Sequence, residues 1–188
     1  MPAHSMDRYA PLKARTIALV GMMGVGKSSV GRRLAGVLDL PFRDADAEVE
    51  LAAGRSISDI FADLGEPVFR EGERRVIGRL LDEPPHVLAT GGGAFMNSET
   101  RRLIKAKTVS VWLKADLEVL ARRLSRKDNR PLLQGPEPPI AILARLARER
   151  DPVYAEADVT VETGDAAHYV TVDLILQGLS AFLESQPQ

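Results

Sequence analysis

Short apolar runs and amphipathic stretches alternate along this chain. Residues 16–20, Thr-Ile-Ala-Leu-Val, form a compact apolar run with β-branched residues, the signature of a buried strand, and the glycines of 21–26 break it. Residues 27–38 then place Val30, Leu34, Val37 and Leu38 at helical spacing. Residues 41–44 predict a short second strand. Short helices follow over 48–53 and 56–64, the latter with Ser56 as N-cap and Asp59 three residues on. A longer charged helix is expected over 67–81. Residues 86–89 predict a third strand, ended by Thr90-Gly91-Gly92-Gly93. The pattern continues with a helix over 98–106, a fourth strand over 108–113, and a helix capped by Asp116 and running to Leu124. A helix over 140–150, a fifth strand over 159–161 and a last helix over 169–183 complete it. Residues 125–139 are polar, basic and rich in Pro and Gly, which predicts a loop.

Strands alternating with helices imply a parallel sheet covered on both faces, and such sheets bind ligands beyond the carboxyl ends of their strands. Three unusual segments, 21–28, 44–46 and 90–93, each follow a predicted strand, so they are expected to converge on one cleft. At 188 residues the chain has the length of a single domain, expected over 16–184 behind a flexible extension of residues 1–15. The extension lacks the apolar stretch of a secretory signal, and the cytoplasm is the expected compartment. Lys and Arg number 25 against 26 Asp and Glu, which argues against a global basic field for nucleic acid. The absence of cysteine excludes disulfides, thiolate metal sites and a Cys nucleophile. No apolar run approaches the roughly 18 residues of a membrane helix. With no heptad seam, a monomer without an obligate protein partner is the expectation.

Gly21-Met22-Met23-Gly24-Val25-Gly26-Lys27-Ser28 satisfies the phosphate-loop pattern G-x-x-x-x-G-K-[ST] between a predicted strand and a predicted helix. Glycines at 21, 24 and 26 let successive N–H groups turn inward, and the helix start at Lys27-Ser28-Ser29 adds positive partial charge. Lys27 is suited to the β- and γ-phosphates of ATP and the Ser28 hydroxyl to Mg²⁺. The fold expected is therefore a P-loop NTPase, nucleoside-monophosphate-kinase-like: a three-layer α/β/α arrangement on a five-stranded parallel sheet, with a small lid over about 125–138. A GTPase switch would carry N-K-x-D, yet Asn97 and Asn129 precede Ser98 and Arg130. A motor or transporter ATPase would end the third strand in a carboxylate, where this chain has Thr90 and three glycines. A small-molecule kinase survives best; a nucleotide-binding protein without transfer activity stays open.

Further residues suit phosphoryl transfer. In an extended segment Asp44 and Asp46 would point the same way, one toward Mg²⁺ through water and one toward an acceptor hydroxyl; Asp44 is also a natural helix cap. Arg70 can grip a carboxylate, with Glu73 three residues on to hold it, although the two also fit an ordinary surface ion pair. Gly91, Gly92 and Gly93 can bring bare backbone N–H groups against a ligand. Arg130, in the basic loop with Arg126 and Lys127, suits a lid arginine reaching the transferring phosphoryl, and Arg150 offers a second cation for an acidic acceptor.

In this order, the phosphate loop, D-x-D at Asp44–Asp46, G-E-x-x-F-R-x-x-E at Gly65–Glu73, Gly91–Gly93, R-P-L-L at Arg130–Leu133 and R-x-P-x-Y at Arg150–Tyr154 resemble the shikimate kinase family over about residues 17–183. The resemblance implies ATP-dependent phosphorylation of the 3-hydroxyl of shikimate on the route to chorismate and aromatic amino acids. It implies that Lys27, Asp46 and Arg130 are catalytic. Gly24, Val25, Gly26, Lys27, Ser28, Ser29, Arg123 and Arg130 would bind the nucleotide. Asp46, Arg70, Gly91, Gly92, Gly93 and Arg150 would bind shikimate, and Ser28 and Asp44 would serve Mg²⁺. Other anion-accepting kinases, such as one for gluconate, share these residue types. Two departures stand out: the middle of D-x-D is Ala45, and the turn expected beside adenine is Gly164-Asp165-Ala166, without the arginine of some relatives.

Overall fold

The computed structural model describes residues 9–125, 137–165 and 167–186. Its strands are β1 (Thr16–Val20), β2 (Phe42–Asp44), β3 (Val87–Ala89), β4 (Thr108–Ala115) and β5 (Val159–Thr163), in the sheet order β2-β3-β1-β4-β5 and all parallel. The helices are α1 (Ala10–Lys13), α2 (Lys27–Leu38), α3 (Ala45–Ala53), α4 (Ile57–Leu80), α5 (Ser98–Lys107), α6 (Leu117–Leu124), α7 (Pro139–Tyr154) and α8 (His168–Ser185). β1 lies at the centre with all five residues buried, the burial that a parallel sheet covered on both faces demands. The crossover from β1 to β2 runs one way along the sheet and those from β2, β3 and β4 run the other. Right-handed crossovers then put α2 on one face and α3 to α7 on the opposite one, while α8 packs beside α2.

Register positions the loops. Leu19 pairs with Ala89 and Ala89 with Asp44, so β1, β2 and β3 end at one level. The segments that leave them, 21–28, 45–46 and 90–93, therefore emerge side by side. Thr90 donates through N (3.1 Å) and Oγ1 (3.0 Å) to Leu19 O, tying the glycine turn to β1.

Several boundaries differ from the sequence expectations for identifiable reasons. α3 begins at Ala45, not near Glu48, because the Asp44 side chain accepts from the backbone N–H of Asp46 (3.1 Å) and Ala47 (3.5 Å). Asp44 and Asp46 thus do not share an extended segment. Asp116 occupies the N-cap of α6 but makes no side-chain capping bond. The helices expected at 56–64 and 67–81 are both present, meeting at a kink where Gly65 is non-helical (φ 81, ψ 168), and α4 denotes the pair; Ser56 caps the first by accepting from Asp59 N. Within the expected N-terminal extension, residues 10–13 form a helical turn that buries Leu12 in the core.

Candidate active site

The phosphate loop is built from backbone. Gly21 has φ 133, and a Cβ there would lie 2.4 Å from Leu113 O, so glycine is required by both conformation and space. Gly24 and Gly26 are also left-handed, Gly26 at the N-cap of α2. The first turn of α2, Lys27-Ser28-Ser29, presents amides that have no partner inside the helix. Lys27 is buried, and its Nζ donates to Gly21 O (2.7 Å) and Met22 O (3.0 Å), closing the loop around an ammonium. Val25 is buried beneath the turn. Arg123 Nη1 donates to Val25 O (3.2 Å) and its Nη2 to Gly164 O (2.6 Å), so α6 bridges the phosphate loop and the turn after β5.

Ser28 Oγ donates to Asp44 Oδ2 at 2.6 Å. The serine proton is thereby committed to Asp44, and its lone pairs remain for a hard cation. Magnesium typically takes one or two protein oxygens and completes its shell with phosphate and water. This oxygen pair fits that demand, and the described residues hold no group of three or more His, Cys, Asp or Glu that would fit a fuller cage.

Beside the loop opens a cleft of about 310 Å³, onto which Asp46, Arg70, Gly91, Gly92, Gly93 and Arg150 all face. α3 supplies Asp46, α4 supplies Arg70, α7 supplies Arg150, and the turn after β3 supplies the glycines. The phosphate loop reaches the same cleft through Met23, whose N lies 3.2 Å from where a Gly92 Cβ would be. Asp44 and Asp46 diverge, the first to Ser28 and the second to the glycine turn. A Cβ on Gly91 would lie 2.7 Å from Asp46 Oδ1 and 2.3 Å from Glu73 Oε1.

Electrostatically the cleft centres on Arg70. It donates to Glu73 (2.7 Å) through Nη1 and to Glu66 through Nη2 (3.0 Å) and Nε (3.1 Å). An arginine has five N–H groups, so two remain for a ligand, in the fork geometry that suits a carboxylate. Burial works against the Arg70 charge, but Glu73 and Glu66 outweigh it and its pKa is raised. Glu73 is only 2% exposed, which disposes of a surface ion pair. Burial pushes its pKa up, Arg70 opposes, and the nearby Asp46 and Glu66 charges add to the rise. Its Oε1 accepts no hydrogen bond among the described residues. Arg150 donates to Gly92 O at 3.3 Å.

Sequence reasoning missed the cleft's apolar wall. Phe61 and Phe69 pack with ring centroids 4.8 Å apart, and the Arg70 guanidinium lies 5.0 Å from the Phe69 ring. Phe69 stands inside the G-E-x-x-F-R motif, but in a helix its apolar side reads simply as core. Arg130 and most of the expected lid lie outside the described residues.

A backbone cradle for phosphate and an adjoining cleft whose cations suit an anion have one joint use: they make a P-loop kinase that serves a small acidic acceptor. The shikimate kinase family model matches residues 23–180, and the chain belongs to that family. Shikimate kinase of Caulobacter vibrioides is 72% identical over 173 residues, covering 92% of this chain and 86% of its own. That of Paramagnetospirillum magneticum is 55% identical, over 97% of this chain and 95% of its own. Shikimate kinase from Acinetobacter baumannii, solved in complex with shikimate, superposes with a TM-score of 0.88 at 38% identity, covering 96% of this chain and 99% of that one.

Proposed function

We propose that this chain phosphorylates the 3-hydroxyl of shikimate with ATP, giving shikimate 3-phosphate and ADP for chorismate and aromatic amino acid synthesis, in the cytoplasm where ATP is at hand. The observation that carries this is the single cleft, continuous with the phosphate loop, that gathers an aspartate, two arginines and a glycine turn from four separate elements. Arg70 and Arg150 take the acceptor carboxylate, and Gly91, Gly92 and Gly93 let it approach the backbone closely. Asp46 accepts the reacting hydroxyl's proton as that oxygen bonds to the γ-phosphorus and the bond to the ADP oxygen breaks. Gly24, Val25, Gly26 and Ser29 wrap the phosphates with their amides, and Lys27 follows the charge on the transferring group. Arg123 borders the nucleotide, and Arg130 reaches the phosphoryl from the lid.

Ser28 would hold Mg²⁺ directly and Asp44 through water. The ion would neutralise charge on the β- and γ-oxygens. Positioning and charge neutralisation are what this chemistry mainly requires. Purified protein with ATP and Mg²⁺ is expected to release ADP when shikimate is added and to ignore gluconate and other polyol acids. Turnover with gluconate and none with shikimate would replace this reading by the neighbouring one.

A further inference from the structure

Tyr154 ends α7 four residues after Arg150, on the same face of the helix. It is 1% exposed, stacked between Phe95 (centroids 6.4 Å apart, 17° between planes) and Trp112 (5.9 Å, 28°). Packing of this kind needs only the ring, and phenylalanine would serve it. The hydroxyl has a separate partner: it donates to Gly92 O, the same carbonyl that Arg150 Nη1 reaches at 3.3 Å. Burial pushes the phenol up to about 12, against the pull of the Arg150 charge, so it remains a donor throughout the neutral range.

A planar trans peptide points its N–H opposite to its C=O. Holding the Gly92 carbonyl toward α7 therefore turns the Gly93 N–H the other way. Gly93 abuts Arg70: a Cβ on it would lie 2.5 Å from the guanidinium Nη2. Among the described residues no protein group accepts the Gly93 N–H. A glycine turn would otherwise sample many peptide orientations, and one buried hydrogen bond from a rigid ring removes that freedom at the peptide where it matters. Arg150 reaches the same carbonyl from a long flexible side chain whose other N–H groups are open to a ligand, whereas the Tyr154 hydroxyl sits on a ring locked by packing.

We infer that Tyr154 is a positioning residue: by fixing the Gly92 carbonyl, its hydroxyl aims the Gly93 amide at the acceptor's carboxylate, between Arg70 and Arg150. This rests on the proposed placement of the acceptor in that cleft. The amide is a third, uncharged donor to the anion, and it works through the tyrosine without the tyrosine touching substrate.

Tyr154→Phe separates the hydroxyl from the ring. The expected result is a shikimate KM raised about fivefold to tenfold, the size of one lost net hydrogen bond. The turnover number and the ATP KM should stay within about twofold, because the lost contact serves ground state and transition state alike. A purely structural role would lower the melting temperature and leave that KM unmoved. A folded Tyr154→Phe with unchanged shikimate KM, beside an Arg70→Ala in which it rises, overturns the inference and spares the cleft. If Arg70→Ala also leaves it unchanged, the cleft assignment itself fails and takes the inference with it. A second measurement needs no variant: in ¹⁵N-glycine-labelled protein the Gly93 amide should shift and gain exchange protection when shikimate binds. An amide that does not respond overturns the inference even if Tyr154→Phe does not fold.

Discussion

In the phosphate loop the working groups are backbone amides and one ammonium, all supplied by a run of nine residues from Gly21 to Ser29. In the neighbouring cleft they are side chains from α3, α4 and α7 meeting a glycine turn, and residues as far apart in sequence as 46 and 150 line it together only in the folded chain. The loop makes its field from aligned dipoles, which cost little to bury. The cleft makes its field from full charges, and each buried one needs a partner. Hence the chain Glu66–Arg70–Glu73, with Asp46 beside it. Changes in the loop should act through conformation and report on nucleotide; changes in the cleft should act through charge and report on acceptor.

The largest expected effect tests the chemistry at the boundary of the two. Asp46→Asn keeps size and shape but removes the proton acceptor, so turnover should fall about 100- to 10,000-fold with the melting temperature held. Near-normal turnover would remove Asp46 from that role. Next is Arg70→Ala. Losing a charge-assisted hydrogen bond to the acceptor costs about 1.5–3 kcal/mol, roughly a 10- to 150-fold rise in shikimate KM with little change in ATP KM. Should the ATP KM rise by as much, the two regions do not divide the labour as described. Gly21→Ala probes the other side: a side chain at φ 133 carries about 1–3 kcal/mol of backbone strain, before its clash with Leu113 O. Denaturant unfolding should register that loss, and the ATP KM should rise more than the shikimate KM.

Legibility in the sequence follows the same division. The phosphate loop could be read because a contiguous motif encodes it, and the strands because short β-rich runs bounded by glycine, proline and aspartate leave few alternatives. What the sequence could not show were the facts that depend on which side of an element faces inward. Arg70 and Glu73 at i,i+3 fit a surface pair and a buried pair equally well; only the packing of α4 against the glycine turn decides for the buried one. Asp44 and Asp46 would point the same way only in a strand that continued through both, whereas the Asp44 carboxylate itself starts a helix one residue later. Leu12 stands alone between Pro11 and Lys13, with no periodicity to mark it as core. Tyr154 lay in a motif, but its partner is a backbone carbonyl 62 residues away, a contact no side-chain pattern records.

The subtlest effect compares two glutamates two residues apart on α4. Glu73 is buried against Arg70; Glu71 faces solvent, its side chain 43% exposed, with Arg74 and Arg75. Both have arginine partners, yet their acidities move in opposite directions. Burial dominates at Glu73 and raises its pKa, while hydrogen bonds from Arg74 and Arg75 lower that of Glu71 to about 2. Proton linkage then gives opposite signs. Glu73 binds its proton more tightly in the folded chain, so its contribution to stability falls as pH rises from the ordinary carboxylate range through its raised pKa. Glu71 binds its proton more weakly when folded, so its contribution is present above about 4.5 and is lost as pH falls toward about 2. Melting temperature against pH should show the first slope in the parent protein and lose it in Glu73→Gln. Glu71→Gln should melt below the parent above about pH 4.5 and converge with it in acid, with a smaller gap at high salt, because solvent screens that pair. If both substitutions changed the curve with the same sign, the partner rather than the burial would set carboxylate acidity on this helix, and the contrast between a solvated and a buried charge would lose its basis here.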